Sequence, residues 1–258
     1  MGSMKYHRPQ TVKETLALMD KGTLLGGGTA LTPQRFDVEA IIDLQDLNLD
    51  ELKIEKSKVH VGATVRLQAL IKAQDSLPQA LVQACRQEAA LNIRNAATVA
   101  GMVMTADGRS PLLTALLALD ASVNTEPGNK TQSLQDFMED RTGKSRLIVA
   151  LELKPPDQML YTQVSRSPAD RPLVCLAVAS SQTSKGKRTV AAVLGGYGER
   201  PVRLTKMEDA LAEGMNPTEA AAFAEEAYSN AGDAFASAAY RAEIAAVLTR
   251  RLLTEVMG

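Results

Sequence analysis

The amino-acid sequence predicts an α+β protein with two domains. Its 258 residues are enough for two domains of ordinary size. Short helix and strand patterns alternate in the first part, whereas strands precede helices after the proline pair Pro155-Pro156. We therefore predict a first domain over residues 4–155, built from two α/β subdomains, and a smaller α+β domain with an antiparallel sheet and helices over residues 156–258.

The first domain begins with a helix and several short strands. Thr11 and Glu14 have the spacing of a capping box, which predicts a helix that ends at Gly22. Runs of apolar residues bounded by turn residues predict the strands, which are expected just before Gly26 and over residues 40–44, 52–55 and 59–62. Thr64 is expected to cap the helix that follows.

The rest of the first domain carries further helices and one strand. Pro78 opens a helix, and a stretch of small residues follows it at 92–101. Ser110 and Pro111 are the residue types of an N-cap and a first helical position, so another helix is predicted to begin there. The apolar run at 146–153 predicts the last strand before the proline pair.

The second domain is predicted to contain strands followed by helices. The strand patterns cover residues 173–179 and 189–195, with a basic turn at 184–188 between them. Three helix signals follow, namely a second capping box at Thr205 and Glu208, an Asn-Pro opening at Asn216 for a helix through Tyr228, and an apolar helix face from Ala238 to Val256.

The composition excludes several classes of function. With 29 basic and 30 acidic residues, the chain has no excess charge to attract nucleic acid or an anionic membrane. No apolar run approaches the roughly 18 residues of a membrane-spanning helix, and the start lacks the pattern of a signal peptide. These features are typical of a cytoplasmic protein.

Cysteine and histidine are too few to suggest a metal centre or a catalytic triad. Cys85 and Cys175 lie far apart in apolar surroundings, so we expect both to be buried rather than joined in a disulfide, an iron–sulfur cluster or a zinc site. His7 and His60 are the two histidines, and the strand pattern around His60 favours a cross-strand surface role. We therefore assign no catalytic residue and no metal ligand.

The clearest candidate site is the stretch Leu24–Pro33, which contains Gly26, Gly27 and Gly28. Glycine allows a sharp turn that brings several backbone N–H groups close to an anion such as phosphate. A plain turn is the alternative interpretation. A P-loop is excluded because it needs Gly-Lys-Ser/Thr, and a Rossmann fingerprint beginning at Gly26 is excluded because position 31 is leucine.

Two later features agree with an anion site. The stretch 92–101 is again rich in small residues, and its Asn95 and Thr98 can hydrogen-bond a ligand or cap their own backbone. The amide-rich N-terminus of the helix at Ser110 would also favour a phosphate.

Taken together, these stretches resemble the FAD-binding medium subunits of molybdenum hydroxylases, the family of the carbon monoxide dehydrogenase medium subunits and the xanthine dehydrogenase flavin domains. Residues 26–31 are similar to the family's first flavin loop, and residues 93–101 are similar to its second. Further similar stretches occur in the family's order over nearly the whole chain, at 4–9, 61–64, 116–121, 163–166 with Asp170, 195–198, and Tyr240-Arg241 with Arg250-Arg251.

The resemblance implies an FAD-binding domain of the PCMH or vanillyl-alcohol-oxidase type, followed by a domain like the C-terminal domain of the CO dehydrogenase flavoprotein. FAD would lie between the two subdomains of the first domain. It would receive electrons from the iron–sulfur clusters of one partner subunit, which a molybdopterin subunit supplies, and would pass them to NAD or another acceptor. The chain would form an oxidoreductase subunit that is not active alone.

The resemblance also implies the residues of the FAD site. They are Leu25, Gly26, Gly27, Gly28, Thr29, Ala30, Asn95, Thr98, Val99, Gly101, Asp107, Ser110 and Leu147. Backbone amides of the two loops would bind the pyrophosphate. Asp107 and Ser110 would face the ribityl or adenosine end, and Leu147 or Ile148 would pack near the flavin or the adenine.

Five positions depart from the family's pattern. Ala30 replaces an aspartate, Ala100 a glycine and Met102 an asparagine, while an expected acidic residue falls on Pro111 and an expected lysine on Thr162. A lost hydrogen bond costs about 1 kcal/mol. Two other functions therefore stay open, namely a non-catalytic structural or assembly subunit of the same fold with weak or no FAD binding, and a flavin reductase that works without partners.

Overall fold

The structure, a computed structural model, describes residues 4–33, 38–141, 146–183 and 186–257. These residues pack into two compact units. Unit 1 comprises the described residues of the segments 1–72, 90–105 and 121–154, and unit 2 comprises those of 73–89, 106–120 and 155–258. The mixture of helices and sheets confirms the predicted α+β class. The domain boundary at the proline pair stays a prediction.

Strands and helices are short except for the last helix. The strands are β1 (Lys5–His7), β2 (Thr23–Leu25), β3 (Ala40–Asp43), β4 (Leu52–Ile54), β5 (Val59–Gly62), β6 (Ser122–Glu126), β7 (Lys130–Ser133), β8 (Leu147–Leu153), β9 (Gln158–Val164), β10 (Val174–Gln182), β11 (Arg188–Gly195) and β12 (Val202–Arg203). The α-helices are α1 (Val12–Leu18), α2 (Leu67–Lys72), α3 (Gln79–Glu88), α4 (Leu91–Arg94), α5 (Val99–Thr105), α6 (Pro111–Ala118), α7 (Leu134–Glu139), α8 (Thr205–Ala212), α9 (Pro217–Ala220), α10 (Ala222–Ala227) and α11 (Ala238–Met257). Single 3₁₀ turns cover Met19–Lys21 and Gln45–Leu47.

Unit 1 contains two sheets. The strands β1, β3 and β2 lie side by side in that order and run parallel. The second sheet has the order β4-β5-β8-β6-β7 and is antiparallel throughout. Every residue of β3 is buried, which is expected of the central strand of a small parallel sheet.

The predicted cap of α1 is confirmed in part. The Thr11 hydroxyl accepts a hydrogen bond from the Glu14 N–H at 3.2 Å. The Glu14 carboxylate accepts from the N–H of Gln10 at 2.9 Å, one residue before its position in an ideal capping box. The helix continues as a 3₁₀ turn to Lys21, and the extended Gly22 ends it as predicted.

Two other predicted helix caps are wrong. Helix α2 begins at Leu67 rather than just after Thr64, whose N–H belongs to the preceding turn and donates to Leu49 at 2.9 Å. Thr205 is the first residue of α8 and caps nothing. The predicted partner of Thr205, Glu208, instead accepts from an N–H of the neighbouring strand β11, because a buried sheet amide needs that acceptor more than an exposed helix end does.

Unit 2 is built on an antiparallel sheet with the order β12-β11-β10-β9. Helices α3, α6, α8 and α11 pack against it. The long helix α11 buries five residues of its predicted apolar face, which are Ala242, Ala245, Leu248, Leu252 and Val256. Ser110 caps α6 and Pro111 is its first residue, which confirms that prediction.

Two predicted features of unit 2 differ in detail. The helix expected from Asn216 to Tyr228 forms two pieces, α9 and α10, although Asn216 caps the first of them by accepting the Thr218 N–H at 2.8 Å. The predicted turn at 184–188 includes Ser184 and Lys185, which lie outside the described residues.

The histidine and cysteine predictions agree with the structure. His60 lies opposite Glu152 on the next strand, and its Nδ1 is 2.9 Å from the Glu152 carboxylate. Cys85 and Cys175 are fully buried, and burial raises the pKa of the Cys175 thiol to about 11. Among the described residues, none of the helices combines the length and the apolar character that crossing a lipid bilayer requires.

Candidate functional site

The glycine run begins where β2 ends, at the carboxyl edge of the parallel sheet. Leu25 lies beside Asp43 of β3, and the N–H of Leu44 donates to the Leu25 carbonyl at 3.0 Å. The residues Gly26–Ala30, which we call the first loop, follow directly. Gly28 has a φ of +74°, a conformation that glycine adopts without strain. Ligands of open parallel sheets bind at this edge.

A second segment, Asn95–Gly101, lies against the first loop. We call it the second loop, although its last three residues begin helix α5. A Cβ added to Gly27 would lie 1.8 Å from the carbonyl oxygen of Ala96, and one added to Gly26 would lie 2.7 Å from the Thr98 Oγ1. Both distances are below normal contact, so these two glycines are required for the loops to approach. The structure therefore brings together most of the residues that the sequence assigned to one site.

The first loop has backbone donors that no group of the described residues accepts. Among the hydrogen bonds between described residues, none uses the N–H groups of Gly26, Gly27, Gly28, Thr29 or Ala30. The N–H of Thr32 donates back to the Gly28 carbonyl at 2.8 Å and closes the turn. Successive N–H groups around a left-handed glycine form a concavity that attracts an oxyanion.

The second loop is different, because the amides of Val99, Ala100 and Gly101 are already bonded. The Val99 N–H donates to Val65 at 2.9 Å, and the Ala100 N–H donates to Ala63 at 3.1 Å. The Gly101 N–H donates to the hydroxyl of the buried Thr98 at 3.2 Å. These amides therefore hold the loop in place and are not spare donors.

Asn95 and Leu147 also lie in unit 1. The backbone carbonyl of Asn95 accepts a hydrogen bond from the Arg66 Nη1 at 2.6 Å. The exposed side-chain amide of Asn95 has no partner among the described residues. Leu147 is 1% exposed and packs with Ile42 and Leu44. Its side chain is therefore part of the hydrophobic core of unit 1.

Asp107 lies in unit 2 and is engaged by two arginines. Its carboxylate pairs with Arg171 through both oxygens, one of them at 3.0 Å from the Nη1, and accepts the Arg109 N–H at 2.8 Å. Partial burial alone would raise the pKa of Asp107, but the hydrogen bonds from Arg171 and from the Arg109 N–H bring it below its usual value. Asp107 is therefore ionised at neutral pH and held in place by these hydrogen bonds.

Ser110 is fully buried at the start of α6 and uses its hydroxyl within unit 2. It accepts the Leu113 N–H at 3.0 Å and donates to the Glu88 carboxylate at 2.7 Å. The same Glu88 oxygen accepts the Leu112 N–H at 2.8 Å. The Leu112 and Leu113 amides at the start of α6 thus donate to the chain's own groups.

Sequence reasoning missed Glu88. It lies on α3, whose apolar residues explain the helix, and nothing in its local pattern links it to α6. The family's pattern places an acidic residue where this chain has Pro111, and Glu88 brings a carboxylate to that helix end from elsewhere in the chain. Burial raises the pKa of Glu88, and the hydrogen bonds from Leu112 and Ser110 offset the rise only in part.

The arrangement is suited to binding an anion. The first loop offers amides, and in the described chain no group of three or more His, Cys, Asp or Glu residues could hold a metal ion. A parallel sheet that ends in such a loop is typical of proteins that bind the phosphate of a cofactor.

Comparison with known proteins identifies the family. Residues 2–154 match the model for the FAD binding domain in molybdopterin dehydrogenase, and residues 159–256 match the model for the CO dehydrogenase flavoprotein C-terminal domain. The chain therefore belongs to the flavoprotein family of the molybdopterin dehydrogenases. This confirms the resemblance found in the sequence, and FAD is the cofactor that the family's first domain binds.

Individual relatives agree with this assignment. YgfM of Escherichia coli strain K12 is 32% identical over 217 residues, which is 81% of each chain. The nicotinate dehydrogenase FAD-subunit of Eubacterium barkeri is 27% identical over 213 residues, which is 76% of this chain and 68% of the relative. The structure of reconstituted CO dehydrogenase from Oligotropha carboxidovorans has the same fold, with a TM-score of 0.82 and 23% identity over 97% of this chain and 96% of that chain.

Proposed function

We propose that this chain is the FAD-binding, electron-transfer subunit of a molybdopterin-dependent oxidoreductase. The observation that carries the proposal is the first loop, where five consecutive N–H groups lack a partner among the described residues beside the left-handed Gly28. These residues fit a pyrophosphate, because an oxyanion accepts several N–H groups at once.

Each site residue has a proposed part in holding FAD. Leu25 sets the start of the loop, and Gly26, Gly27, Gly28, Thr29 and Ala30 supply the amides. The second loop supports it, with Asn95, Thr98, Val99 and Gly101 shaping its back. Asp107, Ser110 and Leu147 remain proposed contacts of the ribityl, adenosine or ring portions, with roles that their existing bonds restrict.

FAD supplies the redox chemistry when bound, and the chain supplies position and electrostatics. We further propose iron–sulfur and molybdopterin partner subunits, NAD or another electron acceptor, and a cytoplasmic location. The support for partners is that one relative is itself named a subunit of a dehydrogenase.

The visible spectrum of the purified protein tests the proposal. Absorption bands near about 370 and 450 nm, or their appearance on adding FAD, are expected of a bound flavin. Gly28→Ala should weaken FAD binding at least about tenfold, because a Cβ at positive φ costs roughly 1–2 kcal/mol and the loop is expected to relax away from the ligand geometry.

Gly186→Ala is the matched control, since Gly186 has a φ of +75° and open space around it. It should carry the same backbone strain and leave the FAD affinity unchanged. Equal losses in both variants would contradict a role for the first loop.

A structural or assembly subunit is the second candidate, and the bonded amides of the second loop favour it. A colourless protein that ignores added FAD would support this candidate and overturn the first. Turnover of NADH by the isolated chain would instead support a flavin reductase that needs no partners.

A further inference from the structure

Unit 1 has a polar pocket that shares one residue, Asn95, with the proposed flavin site. Its volume is about 240 Å³, many times the roughly 10–15 Å³ that one water molecule requires. The lining comes from α2, the turn before it and the start of the second loop, and consists of Asp50, Thr64, Val65, Arg66, Gln68, Ala69, Lys72 and Asn95.

The lining is rich in hydrogen-bond donors and poor in acceptors. Arg66 and Lys72 bring two cations, and no ion pair with either is formed within the described chain. The Gln68 side-chain oxygen already accepts from Arg94 at 3.2 Å, which leaves its NH₂ group as a donor. Asp50 is the one carboxylate of the lining.

Two backbone amides beside the pocket are already bonded within the chain. The Thr64 N–H donates to Leu49 at 2.9 Å, and the Leu67 N–H donates to Ala97 at 3.0 Å. Guanidinium, ammonium, amide and hydroxyl donors around one space are the groups that bind a phosphate.

We propose that this pocket binds a phosphate group, either free or carried by a small organic phosphate. No residue of the first loop lines the pocket, and Asn95 at the start of the second loop does. Arg66 links the two, because one of its N–H groups is held by the Asn95 carbonyl at 2.6 Å while the others are left for the ligand. A phosphate bound by Arg66 would therefore also steady the second loop.

Titration of the full chain with inorganic phosphate, by calorimetry and by ³¹P NMR, tests the proposal. The expected result is saturable binding at one site that chloride at the same ionic strength does not reproduce. Lys72→Met and Arg66→Gln should each weaken binding at least about tenfold, because each removes a charge-assisted hydrogen bond.

Lys56→Met is the matched control, since Lys56 is an exposed lysine of unit 1 that does not line the pocket. It should bind phosphate like the unmodified chain. Melting temperatures of all variants show whether a loss of binding reflects a loss of folding, and Lys72→Met, which keeps the aliphatic stem, is expected to fold normally.

Two further binding measurements identify the ligand and distinguish this site from the flavin site. AMP or glycerol 3-phosphate binding more tightly than inorganic phosphate would indicate an organic phosphate, and equal affinities would indicate free phosphate. The proposal is wrong if phosphate binds no better than chloride, if the Lys72 and Lys56 variants behave alike, or if FAD displaces the phosphate. A chain that binds phosphate but no FAD would overturn the proposed function and leave this site intact.

Discussion

The first and second loops lie against each other, yet they treat their backbone amides in opposite ways. Gly26–Ala30 leave theirs without a partner among the described residues, whereas Val99, Ala100 and Gly101 donate theirs to the chain's own oxygens. Both stretches are rich in small residues, so composition alone does not distinguish them. The difference teaches that one loop is available to a ligand and the other is a support that sets the first loop's shape.

The largest expected effect comes from breaking the contact between the loops. Gly27→Ala places a Cβ 1.8 Å from the carbonyl oxygen of Ala96, and neither backbone can move away cheaply. We expect it to lower the free energy of unfolding by about 3 kcal/mol or more, measured by urea denaturation. Gly232→Ala, whose Cβ would meet Ala238 at 3.3 Å, is the control and should cost far less. Equal stability of the two variants would show that the loops do not touch.

Two threonine variants test whether the second loop is a structural support while the first loop is available to a ligand. Thr98→Val removes the hydroxyl that accepts the Gly101 N–H, so we expect a loss of about 1–2 kcal/mol in unfolding free energy. Thr29→Val in the first loop removes a hydroxyl that has no partner among the described residues and should change stability by less than about 0.5 kcal/mol. Similar losses in both variants would erase the distinction between the loops.

The start of α6 extends the comparison to unit 2, because its amides are also bonded internally. Glu88→Gln keeps an oxygen for the Leu112 N–H, so we expect a cost of about 1 kcal/mol or less at pH 7. The raised pKa of Glu88 means that the folded chain holds this proton more tightly than the unfolded chain does. Its contribution to stability is therefore present below the ordinary pKa and is lost as pH rises through the folded value. Thermal melting across pH 4–8 should show that the melting temperature falls less with rising pH in the variant than in the unmodified chain. The same pH dependence in both chains would contradict this expectation.

The smallest expected effect tests whether the second loop can become a donor. Ala100→Gly restores the glycine of the family's pattern, but the Ala100 N–H already donates to Ala63. We expect no gain in FAD affinity and a loss of roughly 0.5–1 kcal/mol in unfolding free energy, since residue 100 lies in α5. A clear gain in FAD affinity would mean that the second loop binds the cofactor directly.

The local elements could be predicted because their signals are local. Thr11 with Glu14 marks the start of α1, Ser110 with Pro111 marks the start of α6, and the alternation around His60 marks β5. The ordered motifs were also enough to identify the family. The threonine caps failed because α2 begins three residues after Thr64, and because a strand amide took the Glu208 carboxylate that local spacing had assigned to the helix of Thr205.

The sequence indicates that the two loops are rich in small residues, but it does not indicate how their amides are bonded. The sequence places Val99 and Gly101 in a loop suited to an anion, but whether their amides are spare depends on Val65 and on the orientation of Thr98. Glu88 could not be found because it serves a helix that begins 23 residues after it, counting from 88 to 111. Such pairings arise from chain packing, which no short pattern records.

The interleaving of the two units has a consequence for protein engineering. The chain passes from one unit to the other after residues 72, 89, 105, 120 and 154. A chimaera made with a single crossover at Pro155-Pro156 would thus transplant β9–β12 while leaving α3 and α6 behind, and the apolar face of β10 would meet foreign helices. Exchange of one whole unit between relatives therefore needs all five junctions to be moved together.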